Sequence, residues 1–153
     1  MNPAVTFSMY LTGKITTVRM LIYWIAQFFG SFLAAVVIYI NYYNKIDTLG
    51  RDKDGILTLE SAAIFATYPQ FYLTIATGFF DQVIGTGLLV VFVLAITDKK
   101  NEVYSHGASF ALVGIFLFVQ GAAFSENCGG AINPARDFGP RLFTLMAGWG
   151  DKV

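Results

Sequence analysis

The tripeptide Asn-Pro-Ala occurs twice, at Asn2-Pro3-Ala4 and at Asn133-Pro134-Ala135, and Arg136 follows the second copy directly. Each copy reads as a helix start. Asn caps a first turn through its side-chain oxygen, and Pro suits the first helical position because its missing N–H has no intrahelical partner there. An Asn that caps with its carbonyl keeps an amide NH₂ to offer elsewhere. Two such donors, each backed by the positive end of a helix dipole, can orient the oxygen of a polar solute and repel cations and protons. Ordinary capping at both helices is the competing reading, and two copies in inverted positions weigh against it.

Arg136 is the most informative single residue. It falls in the first turn of the second helix, where the dipole favours a carboxylate rather than a cation. Facing a narrow aqueous passage, it offers a fork of donors to hydroxyl oxygens and a fixed positive charge. The alternatives are a salt bridge to Glu126 or Asp137, or snorkelling to the interface. Just upstream, Cys128-Gly129-Gly130-Ala131 reads as irregular backbone. At membrane depth such backbone is tolerated only where it is buried in protein or lines water. Its carbonyls then form a ladder of acceptors opposite the donors of Arg136 and the asparagines. Asp81 and Gln82 are placed either to hold that re-entrant backbone or, for Asp81, to lie at the interface. His106 opens an apolar stretch and reads as an interfacial histidine rather than a proton sensor. One His, one Cys and scattered carboxylates make no nucleophile–base pair and no metal cluster, so the residues point away from an enzyme and call for no cofactor.

These residues must be positioned by membrane helices. Hydrophobic residues make up 56% of the chain, charged residues 13%, and the mean hydropathy is +0.59. Three long apolar stretches stand out, with spanning helices expected over about 19–43, 71–97 and 104–124. The stretches 3–12 and 134–147 start at the Asn-Pro-Ala boxes and stop at Gly13 and Gly148. At about 1.5 Å per residue they reach roughly 15–20 Å, too short to cross a bilayer, and read as half-helices. The order is half-helix, span, long polar outer loop (44–70), span, short polar loop, span, re-entrant loop, half-helix. That is the pattern of two inverted repeats with their outer parts removed. The expected fold class is an all-α membrane protein in one domain over 1–153, with two re-entrant half-helices. Lys14 and Arg19, and Lys99 and Lys100, place their segments on one side, the cytoplasmic one by the positive-inside rule. Ala26, Gly30 and Ala34, and Gly107, Gly114 and Gly121, form stripes of small residues that suit close helix packing. A net charge of zero without a basic cluster excludes nucleic acid as a partner, and the N-terminus does not read as a cleavable signal peptide.

The two boxes, and Asn133-Pro134-Ala135-Arg136 in particular, resemble the major intrinsic proteins, the aquaporins. The run from Asn133 to Arg141 is similar to the aquaglyceroporin branch, as are Phe65-Ala66-Thr67-Tyr68-Pro69, Gly78-Phe79-Phe80-Asp81-Gln82 and Ala147-Gly148-Trp149-Gly150. Asp137 and Arg141 mark that branch. The resemblance implies a passive channel for glycerol, water and similar small uncharged solutes, closed to ions and protons. It implies a selectivity filter at Arg136, Gly121 and Gly130, pore-facing carbonyls at Met1, Gly129, Gly130 and Ala131, and a central barrier at Asn2 and Asn133. Gly121 stands where water-selective members carry a constricting histidine, and Gly130 where many glycerol channels carry an aromatic. Gln82 stands where many members have a buried glutamate. The resemblance further implies a partial chain without the first two and the last spanning helices of the family fold. It also implies a homotetramer for the full-length protein and residence in the plasma membrane. Two alternatives follow: a truncated, non-conducting subunit that associates with full-length channels, or a water-selective aquaporin.

In the protein that carries this chain, Gly121→His should narrow the filter and lower glycerol flux about tenfold more than water flux in proteoliposomes. Equal losses of both would remove the size argument.

Overall fold

The computed structural model describes residues 2–98, 100–101 and 106–150, with the backbone alone at residue 106. The carbonyl of Met1, the residue Lys99 and the side chain of His106 therefore lie outside the described residues. Among the described residues six helices follow one another: α1 (Pro3–Leu11), α2 (Thr17–Leu49), α3 (Leu59–Ala62), α4 (Ile75–Ile96), α5 (His106–Cys128) and α6 (Pro134–Thr144). A π-helical turn, Leu145–Trp149, continues α6. Three of them, α2, α4 and α5, are long and apolar enough to cross a membrane. Their large side chains point outward: Phe110 is 74% exposed and Phe118 79%. In water such faces would be a liability, whereas lipid covers them at no cost. The chain is an integral membrane protein of the all-α class.

Local chemistry accounts for the helix starts. Thr16 accepts from the Arg19 N–H at the head of α2, and Thr74 with Thr77 forms a reciprocal capping box at the head of α4. Several bounds differ from the sequence expectation. The first span does not stop at residue 43 but runs 33 residues to Leu49, so the start of the expected outer loop is helical. At about 1.5 Å per residue that is roughly 50 Å, well beyond the hydrocarbon core. The extension passes a kink at Tyr42 and is held by burial of Ile46 beneath the long loop. The second span begins at Ile75 rather than 71, because the Thr74 cap sets its start. The third runs on to Cys128 rather than 124, which leaves only Gly129 to Ile132 irregular before the Asn133 cap.

Helix α6 lies along α2, α4 along α5, and α1 touches both α2 and α4. The buried apolar core gathers Ala35 and Ile46 of α2, Ala62 and Phe65 of the loop, and Phe143 and Trp149 after the second box. Phe65 packs tilted against Phe143 and edge-to-face against Trp149, at ring separations of 5.5 and 5.4 Å. Trp149 Nε1 donates to Ser61 Oγ at 2.9 Å, and that hydroxyl donates onward to the Gly50 carbonyl at 2.9 Å. The long loop is thus tied down at both ends, with its short helix α3 packed over α2. Lys14 Nζ donates to Thr97 Oγ1 at 2.8 Å, which puts the end of the first half-helix beside the end of α4.

The glycines of the small-residue stripes make no close contact among the described residues. A Cβ built at Gly30, Gly107, Gly114 or Gly121 meets nothing within 4 Å. Close approach occurs instead at Gly139, where a Cβ would lie 2.0 Å from Ser31 Oγ and 3.0 Å from the Phe32 backbone nitrogen. Sequence spacing shows which residues share a face, but not which face meets a neighbour.

Gly139→Ala should push α6 away from α2 and destabilise the protein by about 1–3 kcal/mol. The measurement is the Tm in detergent. Ser31→Ala in the same background should recover only part of the loss, because the Phe32 nitrogen remains at 3.0 Å.

Candidate functional site

The two Asn-Pro-Ala boxes meet. Asn2 caps α1 by accepting from the Ala4 N–H at 2.9 Å, and Asn133 caps α6 by accepting from Ala135 and Arg136 at 3.2 and 3.3 Å. Pro3 and Pro134 occupy the first helical positions. Asn2 Nδ2 then crosses to donate to the Ile132 carbonyl at 2.9 Å, joining residues 130 apart in the chain. One hydrogen of that amide is therefore committed to the opposite box, where the sequence reading had left the whole NH₂ for the lumen. Both asparagines line one cavity of about 550 Å³, with Thr6, Gln27, Leu89 and Ile132 around them.

Each half-helix hangs from polar groups on the spans. For α1 these come from α2: Trp24 Nε1 donates to the Pro3 carbonyl at 3.1 Å, and Gln27 Nε2 to Thr6 Oγ1 at 2.9 Å. The re-entrant backbone is held from α4. Gln82 Oε1 accepts from the Ile132 N–H at 3.0 Å, so the amide does the bracing. Asp81 Oδ1 accepts from Asn127 Nδ2 at 2.9 Å and Oδ2 from Gln82 at 3.2 Å. Gln82 thus holds the re-entrant backbone directly, while Asp81 holds the end of α5 and the Gln82 amide. Gly129 and Gly130 both adopt φ of +66°, a left-handed conformation that side chains with a Cβ rarely take. A Cβ at 129 would also meet Thr67 Cγ2 at 2.9 Å. The Ala131 carbonyl accepts from the Asn133 N–H, so this rung of the expected acceptor ladder already has an internal partner.

Arg136 is exposed on the first turn of α6 and lines two cavities. One, of about 240 Å³, also has Gln120, Gly121, Gly130 and Asn133 in its wall. The other, of about 480 Å³, runs along Gly30, Ser31 and Pro140. The ion pairs among the described residues are Arg51–Asp47 and Arg141–Asp137, so neither Glu126 nor Asp137 engages Arg136. Asp137 is turned away from the cavity. Its Oδ2 accepts from Arg141 Nε at 2.8 Å, and its Oδ1 from the Thr67 N–H and Oγ1 at 3.3 and 3.0 Å. Arg141 closes the ring by donating to the Thr67 carbonyl and by lying 4.4 Å over the Tyr68 ring. Burial pushes the Tyr68 phenol above its usual range, against the opposing pull of the Arg141 guanidinium.

Sequence reading missed Gln27, Gln120 and Asn127. The available signal was an uncharged polar residue inside or at the end of an apolar span, where lipid offers it no partner. Cys128 is buried against Gly78, with Sγ 3.7 Å from a Cβ built there.

Comparison with known proteins agrees with this geometry. The family model described as Major intrinsic protein matches residues 1–151. Human Aquaporin-10 is 42% identical over 157 residues, covering 100% of this chain and 51% of that protein. Aquaporin-7 of Mus musculus is 42% identical over 154 residues, with the same coverage of 100% and 51%. The X-ray structure of the aquaglyceroporin from Plasmodium falciparum superposes with a TM-score of 0.82 at 25% identity, over 98% of this chain and 58% of the other. The chain spans about half the length of the curated relatives it matches. With both boxes meeting tip to tip and the family model matching residues 1–151 of the chain, the chain belongs to the major intrinsic protein family, the aquaporins.

Proposed function

We propose that the protein carrying this chain is a passive channel for glycerol, water and similar small uncharged solutes, closed to ions and protons. The observation that carries this reading is the junction of the two boxes: Asn2 Nδ2 on the Ile132 carbonyl at 2.9 Å, with Asn2 and Asn133 lining one cavity. Two helix N-termini converge there, and their partial positive charges oppose a cation while accommodating a solute oxygen.

The solute class follows from the neighbouring cavity. Arg136 supplies donors to a hydroxyl oxygen, while Gly121 and Gly130 contribute no side chain, and a Cβ at either meets nothing within 4 Å. A wall built of glycines at these two positions leaves more room for a small polyol than side chains there would. The solved relative named an aquaglyceroporin supports the same choice. Asp137 and Arg141 act at one remove. Their ring with Thr67 and Tyr68 fastens the long loop against α6, so the wall beside Arg136 holds its shape.

Arg136→Ala should raise proton or ion leakage through proteoliposomes at least tenfold while leaving solute flux measurable. Unchanged proton conductance would count against this role for the guanidinium.

A further inference from the structure

Gln120 stands one residue before Gly121 on α5 and is 4% exposed. Its Nε2 donates to the Gly85 carbonyl on α4. Gly85 leaves room for Ile132, whose Cγ2 would lie 3.0 Å from a Cβ there, while the Gln120 amide nitrogen would stand at an ordinary 3.6 Å. Its Oε1 has no partner among the described residues. The same side chain lines the 240 Å³ cavity with Gly121, Gly130, Asn133 and Arg136. A buried acceptor that has given up water and found no donor is unfavourable, and a polar cavity at its side is where such a donor is supplied.

The chemistry of the cavity defines that donor. Leu117 and Phe124 are apolar, and the glycines offer backbone carbonyls, too few to accept every hydroxyl of a polyol. The Ala131 carbonyl is engaged by the Asn133 N–H, and the Ile132 carbonyl by Asn2. Arg136 only donates, so a hydroxyl docked on it still has its own proton to place. In a water column a neighbouring water accepts that proton. A polyol that fills the cavity displaces those waters and needs an acceptor from the wall. Oε1 is covered in this structure, so a donor in the cavity reaches it only when the broad terminal torsion of the glutamine turns and the Nε2 bond to Gly85 loosens.

We propose that Gln120 Oε1 receives an O–H of a small polyol held at Arg136, which makes Gln120 a specificity-determining residue. The inference deepens the transport reading above and rests on it for its functional consequence. Gln120 departs from a purely backbone-lined acceptor wall, and it affects multi-donor solutes more than water.

The test has two arms in lipid vesicles of the whole protein. Gln120→Met keeps the volume and removes the acceptor. Glycerol permeability should fall about five- to tenfold with water permeability unchanged. In the wild type, the side-chain carbonyl resonance of ¹³C-labelled Gln120 should shift on titration with glycerol, a readout that needs neither a variant nor conduction. A stationary resonance overturns the proposal, whatever the variant does. A moving resonance with unaltered glycerol flux in a folded Met variant also overturns it. Should the wild type conduct nothing, the transport reading fails by itself, and the resonance alone decides whether a polyol reaches Gln120.

Discussion

Asn2 reaching the carbonyl of Ile132 is the contact on which the rest of the site depends. Two helices begin there, facing one another, each with unsatisfied N–H groups and a positive end. Bringing them together inside lipid is unfavourable unless every polar group finds a partner. The asparagines solve most of this locally by capping their own helices. The crossing bond then fixes how far apart the two tips stand, and with them the position of Arg136 three residues into the second box. Without it, each half-helix would be a separately capped stub with no defined distance to the other.

Because half-helices cannot be gripped by lipid on both sides, the spans hold them by hydrogen bonds. Trp24 and Gln27 hold α1, Gln82 holds the run into α6, and Asp81 holds the end of α5 beside it. Each of these groups replaces a water that the membrane lacks, which explains polar side chains in otherwise apolar helices. Among them, Gln82 supplies a neutral acceptor for a backbone N–H. An ionised carboxylate at that depth would carry a further desolvation cost.

The long loop is governed by different forces. Aromatic packing around Phe143 and Trp149 anchors one part, and the Asp137–Arg141–Thr67 ring anchors another. Both anchors end on the segment after the second box, so the loop is fastened to it at two places. Asp137 and Arg141 therefore bond to the loop rather than to Arg136. They set the fit of the loop over it.

The sequence by itself determined the membrane class, the half-helix starts and the residues at the tips, because these follow from hydropathy and from capping within one turn. It also foresaw Gln82 as a brace, since a polar residue facing the re-entrant segment has few other uses. It misjudged where α2 ends, because Ile46 is buried by a loop that composition alone reads as solvent-exposed. The small-residue stripes likewise described a face without saying what it meets. Only the tertiary structure decided that Asn2 pairs with residue 132, Asp137 with Thr67 and Gln120 with Gly85. Those partners are 130, 70 and 35 residues apart, and helical periodicity specifies neighbours three or four positions away and nothing beyond.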